Sequence, residues 1–140
     1  MKKFIFAIGL LMTSSVFALG DTNISMNASA EIITPITLQV APLEFGTLVK
    51  PQSGRTDYQA TALLEISGEK QQTVKITIPN RMNIVNGSDS LRVNLSIPTT
   101  QKRLNNQGEA SLNITGSLRV AANTKAGDYT GSATITASYL

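Results

Sequence analysis

Nine carboxylates, five arginines and seven lysines, with no histidine and no cysteine, form the reactive inventory of this 140-residue chain. Without imidazole or thiol, zinc ligation and ordinary nucleophile–base pairs lose their usual groups. The acids are Asp21, Glu31, Glu44, Asp57, Glu65, Glu69, Asp89, Glu109 and Asp128, and none of them falls into a calcium-loop spacing. The loop Asn86-Gly87-Ser88-Asp89-Ser90 comes nearest to a weak cation site, and it reads as an ordinary turn. Gly54, Gly68 and Gly116 stand alone, so no phosphate-cradling glycine loop is present. Gly-x-Ser-x-Gly is absent, and a serine nucleophile would lack its imidazole base. Arg81, Arg92 and Arg119 are scattered singly, without the basic stripe and interleaved aromatics that nucleic-acid binding asks for. These residues point away from an enzyme, a bound metal, a cofactor and a nucleic-acid partner.

The start of the chain has the layout of a secretory leader. Lys2 and Lys3 precede an apolar run from Phe4 to Met12, and Val16-Phe17-Ala18 offers small residues to a signal peptidase. That run is shorter than the roughly 20 apolar residues a membrane span needs. The expected cut after Ala18 removes two lysines, leaving 12 − 2 = 10 basic residues against 9 acids, a net charge of +1. Export through a periplasm implies an oxidising compartment, yet no disulfide is available, so packing alone must hold the domain. Asn23, Asn27, Asn86, Asn94 and Asn113 each open an Asn-x-Ser/Thr triplet; after a bacterial type of leader these read as polar surface strands.

What positions the remaining residues is a run of short strands. Period-two alternation rich in β-branched residues predicts strands near 23–32, 35–41, 43–49, 60–66, 72–78, 90–97, 110–120 (one or two) and 128–140. Turn chemistry separates them at Pro51-Gln52-Ser53-Gly54, Ser67-Gly68, Asn86-Gly87 and Asn105-Asn106-Gln107-Gly108. No window has a helical period. The expected fold is all-β, an antiparallel sandwich of immunoglobulin type with an aliphatic core.

Two segments at opposite ends decide the functional reading. In the first, Ile24, Met26, Ala28, Ala30 and Ile32 alternate with Asn23, Ser25, Asn27, Ser29 and Glu31. Thr34-Pro35 then separates it from the next strand, because proline breaks a ladder and restricts its predecessor. It reads as a detachable arm, although an ordinary first strand of the same domain would have the same pattern. In the last segment Tyr129, Gly131, Ala133, Ile135, Ala137 and Tyr139 share one face, and threonines and serines occupy the other. That strand suits either a groove or the closing edge of a self-contained sandwich.

Tyr139 is the penultimate residue, and Gly127 stands fourteen places from the end with Leu140 counted first. This pairing resembles the C-terminal signature of chaperone–usher pilins. Ile33-Thr34-Pro35-Ile36, Leu43-Glu44-Phe45-Gly46-Thr47-Leu48, Ile66-Ser67-Gly68, the stretch 112–116 and Ala126-Gly127-Asp128-Tyr129-Thr130-Gly131 extend the likeness. They are similar to a widespread bacterial secreted domain family of poorly defined function, and to common-pilus and spore-coat-like pilins. The paired cysteines of classical pilins are missing.

The resemblance implies a sandwich one strand short, completed by the arm of a neighbouring subunit through strand addition. It divides the chain into a leader (1–18), a donor-strand arm (19–33) and a pilin domain (34–140). Ile24, Met26, Ala28, Ala30 and Ile32 become the donor knobs. Gly127, Tyr129, Gly131, Ala133, Ile135, Ala137 and Tyr139 become the strand that zips to a periplasmic chaperone and then lines the groove. The partners it implies are sister subunits, that chaperone and an outer-membrane usher, on a Gram-negative surface fimbria serving adhesion or biofilm formation on a host or abiotic surface. Burying the five knobs would contribute about 6–10 kcal/mol at most, comparable with the whole stability of such a domain, about 5–15 kcal/mol. The competing expectation is a self-contained secreted binding module that recognises a surface or a glycan.

Overall fold

The computed structural model describes residues 20–140, so the expected leader lies outside the described residues. The chain divides between Glu31 and Ile32 into two units. In the first, residues 20–31 are exposed and form no strand. The second contains eight strands: β1 (Thr37–Val40), β2 (Arg55–Ser67), β3 (Thr73–Thr77), β4 (Arg81–Asn86), β5 (Asp89–Ser96), β6 (Gln101–Arg103), β7 (Glu109–Ala121) and β8 (Thr136–Tyr139). No helix occurs among the described residues.

The strands form two antiparallel sheets, one ordered β1-β2-β7-β5-β4 and the other β6-β3-β8. The long pair β2 and β7 runs in unbroken register from Arg55 opposite Ala121 to Ser67 opposite Glu109. Asn86-Gly87-Ser88-Asp89 closes the β4–β5 hairpin with a two-residue loop, and Gly87 takes the positive φ of 62° that such a loop requires at its first position. The result is an incomplete, immunoglobulin-like β-sandwich, because the smaller sheet cannot roof the larger one.

The core shows where the roof stops. Around Leu64, Ile66, Val74, Ile76, Leu104, Leu112 and Ile114 the two sheets face each other and exclude water. Around Val93, Leu118 and Val120 the cover comes instead from Leu43, Phe45 and Leu48, which lie outside any strand. Leu43 and Phe45 stand directly over Gly116, where a Cβ would come within 2.5 Å of Leu43 and 3.2 Å of Phe45. One half of the core is thus closed by a sheet, the other by a loop.

Three expectations need correction. Residues 23–32 and 43–49 alternate as read, but neither pairs into a ladder. Alternation marks which side chains are apolar, whereas a strand also needs a neighbour for its backbone. The last strand is ordered as a ladder only over Thr136–Tyr139, preceded by a single bridge between Val85 and Thr130. Its earlier part crosses from the edge of one sheet to the edge of the other, so no continuous partner strand is available. β4 and β6 were not anticipated, and 110–120 is one strand.

Candidate functional site

The inner faces of β4, β5 and β7 supply an apolar floor, in which Met82, Ile84 and Leu91 are half-buried, while Val93, Leu118 and Val120 are already covered by Leu43, Phe45 and Leu48. Alternation along each strand turns these residues inward and their neighbours outward. One wall is the segment 43–50, the other the segment 124–131. Together they bound a groove of about 1020 Å³. Tyr58 donates its hydroxyl to the carbonyl of Val49 at 2.6 Å and holds one end of the first wall. On the opposite wall Tyr129 donates to the carbonyl of Lys125 at 2.8 Å. Thr130 exchanges both backbone bonds with Val85, at 2.8 and 3.1 Å.

Among the described residues, these two bonds are the only backbone pairing found for the stretch 127–135, and none is found for 43–48. Both walls therefore carry unpaired main-chain donors and acceptors beside an apolar floor. That combination is what an added strand needs: hydrogen-bonding edges for its backbone and pockets for alternate side chains.

The residues expected on the last strand divide between wall and sheet. Gly127 has φ 145°, a conformation side chains rarely adopt, so it marks the turn into this segment. A Cβ on Gly131 would collide with the backbone of Asn83 in β4, which fixes how closely the segment approaches that edge. Tyr129, Ile135, Ala137 and Tyr139 are half-buried, and Gly131 and Ala133 are exposed. Ile135, Ala137 and Tyr139 pack on the larger core cluster, with Ala137 paired to Ile76 and Tyr139 to Val74. Among the described residues, the far edge of β8 has no strand beside it. In the arm, Ile24 and Met26 are 95% and 91% exposed, Ala28 and Ala30 are exposed, and Ile32, at the start of the second unit, is 96% exposed.

One feature at the root of the arm was not anticipated. The Tyr139 hydroxyl donates to the Thr34 carbonyl and accepts from the Glu69 amide, both at 2.6 Å. The Glu69 carboxylate in turn accepts from the Thr34 amide at 2.9 Å and its hydroxyl at 2.8 Å. The Thr34 amide, helped by its hydroxyl, holds the Glu69 carboxyl below its ordinary value of 4.5. Residues far apart in the chain thus tie Thr34, the last residue before Pro35, to the final strand. Thr34 and Tyr139 stand out in the sequence for other reasons, as the break before Pro35 and as the penultimate aromatic, and nothing local marks Glu69.

The arginines also require a correction. Arg81, Arg92 and Arg119, scattered in sequence, lie with Arg55 on the outer face of the larger sheet around a shallow depression of about 600 Å³. Arg119 makes a two-pronged ion pair with Asp57, at 2.6 and 3.1 Å. The hydrogen bond from Arg119 holds Asp57 below the usual carboxylate range, and Asp57 raises Arg119 in return. Among the described residues no three acids gather as a metal site.

Fold and groove define a class: an all-β domain whose sandwich is left open along one flank. The chain belongs to the family described as Domain of unknown function (DUF4402), which matches residues 55–139, from the first residue of β2 to the last of β8. No curated protein matches the chain.

Proposed function

We propose that this protein is a structural subunit of a surface fimbria, polymerised by strand exchange, with the arm of one copy filling the groove of the next. The carrying observation is the groove itself, an apolar floor flanked by two wall segments without backbone partners. The arm has the complementary form: large Ile24, Met26 and Ile32, with small Ala28 and Ala30 between them. Buried in the groove, each large knob would contribute roughly 1.5–3 kcal/mol. On this reading the subunit travels through the periplasm with a chaperone that lends a strand, and an usher exports it to the cell surface. The resemblance of the Gly127–Tyr139 segment to pilin C-termini supports the same reading.

The test separates exchange from a closed module. A chain lacking residues 20–32 is expected to stop forming detergent-resistant ladders. A synthetic peptide spanning 20–33, added to it, is expected to raise its melting temperature by several degrees. A peptide without effect, with the intact chain staying monomeric at every concentration, would sink the proposal.

A further inference from the structure

We propose that the outer face of the five-stranded sheet binds an acidic polysaccharide, through arginines that four strands or their ends bring into one depression. The register explains the gathering. Arg81 on β4 faces Asn94 on β5, and Asn83 faces Arg92, so the two arginines stand one diagonal step apart on adjacent strands. Val93 pairs with Leu118, which directs Arg92 toward Arg119 on the next strand. Arg119 faces Asp57 on β2, and Arg55 lies two residues before it on the same face.

Like charges this close cost stability, and the local acids only partly relieve them. Asp57 is engaged by Arg119, and Asp89 by Lys125 at 3.2 Å. Five cations less two acids leave the depression at +3, on a chain whose described part is almost neutral. Arg55, Arg81 and Arg92 have no acidic partner among the described residues. Residue choice sharpens the point: four of the five arginines line this face, but only one of the seven lysines does. A guanidinium presents paired donors that match a carboxylate or sulfate, which an ammonium cannot do.

Between the cations lie Ser90, Asn94, Ser117, Asn123 and Thr124. Hydroxyls and amides both donate and accept, which suits sugar hydroxyls. Single-stranded nucleic acid would want stacked aromatics, and Tyr129 is the one aromatic at this rim. The arginines stand on the outer face of the sheet and the groove's floor on the inner one, the two sites sharing Leu91, Thr124, Lys125 and Tyr129 at one rim, so the inference rests on the arginines and not on strand exchange.

The test uses the purified protein in calorimetric titrations with alginate (carboxylate only), heparin (sulfated), uncharged dextran and a single-stranded oligonucleotide. The expected result is binding to alginate, heparin or both, weakening steeply as salt rises from about 0.05 to about 0.3 M, and none to dextran. The double variant Arg81→Gln/Arg92→Gln is expected to lose about tenfold or more in affinity with a melting temperature at or above the parent's, since two unpaired like charges are removed. Arg103→Gln, away from the depression, should bind as the parent does. Absence of binding to either acidic polymer, equal binding to dextran, a double variant that binds normally, or tighter binding of the oligonucleotide overturns the proposal.

Discussion

Tyr139 holds Thr34 and Glu69 together through one oxygen, donating to one backbone group and accepting from another. Removing that oxygen in Tyr139→Phe leaves both groups to water and costs about 1–2 kcal/mol, measurable as a lower urea midpoint with an unchanged slope. The carboxylate of Glu69 adds a pH dependence of known sign. Its folded-state pKa lies below its ordinary 4.5, so its stabilisation is complete above that unfolded value and is lost as pH falls through the folded one. Asp57, held down by Arg119, behaves alike. Melting temperature should therefore drop below about pH 4.5, with a smaller drop in Glu69→Gln and smaller again in Glu69→Gln/Asp57→Asn. An equal drop in all three would mean that other acids govern acid unfolding. Neither contact was legible in the sequence, because Thr34, Glu69 and Tyr139 are brought together only by the pairing of β1, β3 and β8 with their neighbours.

At the scale of elements, the legible strands were those whose burial repeats with period two. β2, β3, β5 and β7 each set buried aliphatics against exposed polar residues. β6, Gln101-Lys102-Arg103, has no apolar residue and exists by pairing with β3. β4 is short, its outer face polar at Arg81 and Asn83, so Met82 and Ile84 alone do not announce it. The arginine face was hidden for a related reason: lateral neighbours are set by register, and sequence distance says nothing of it. The converse error, strands read at 23–32 and 43–49, identifies segments that have the pattern of a strand but no partner. Hydrogen exchange should reveal this difference directly. Amides of β2 and β7 should be the slowest, and those of 43–48 and 131–135 among the fastest. A peptide spanning 20–33 should slow the second group without altering the first. Phe45→Ala, which strips the roof over Val93 and Leu118, is expected to cost about 2 kcal/mol and to speed exchange at the inner ends of β5 and β7.

For the molecule as a whole, the proposed strand exchange would give each subunit two unlike ends, a groove that accepts and an arm that donates. A head-to-tail contact of this kind does not close on itself unless the geometry makes a ring, so it propagates. Under that proposal stability would depend on protein concentration, because each subunit would be completed by another. A chain carrying Ala28→Asp retains its groove but places a charge where the arm must be dry, and burying an unpaired carboxylate is heavily penalised. Such a chain can accept an arm but cannot donate one. Mixed with the unaltered protein, it should join only the end that presents a free arm and cap it there, so a tenth of it in the mixture should shorten fibres markedly in electron micrographs. If each arm instead served its own groove, the variant would simply be less stable and its neighbours would be indifferent to it. Fibre length that is unchanged at every mixing ratio, with the variant folded, would rule out exchange between chains.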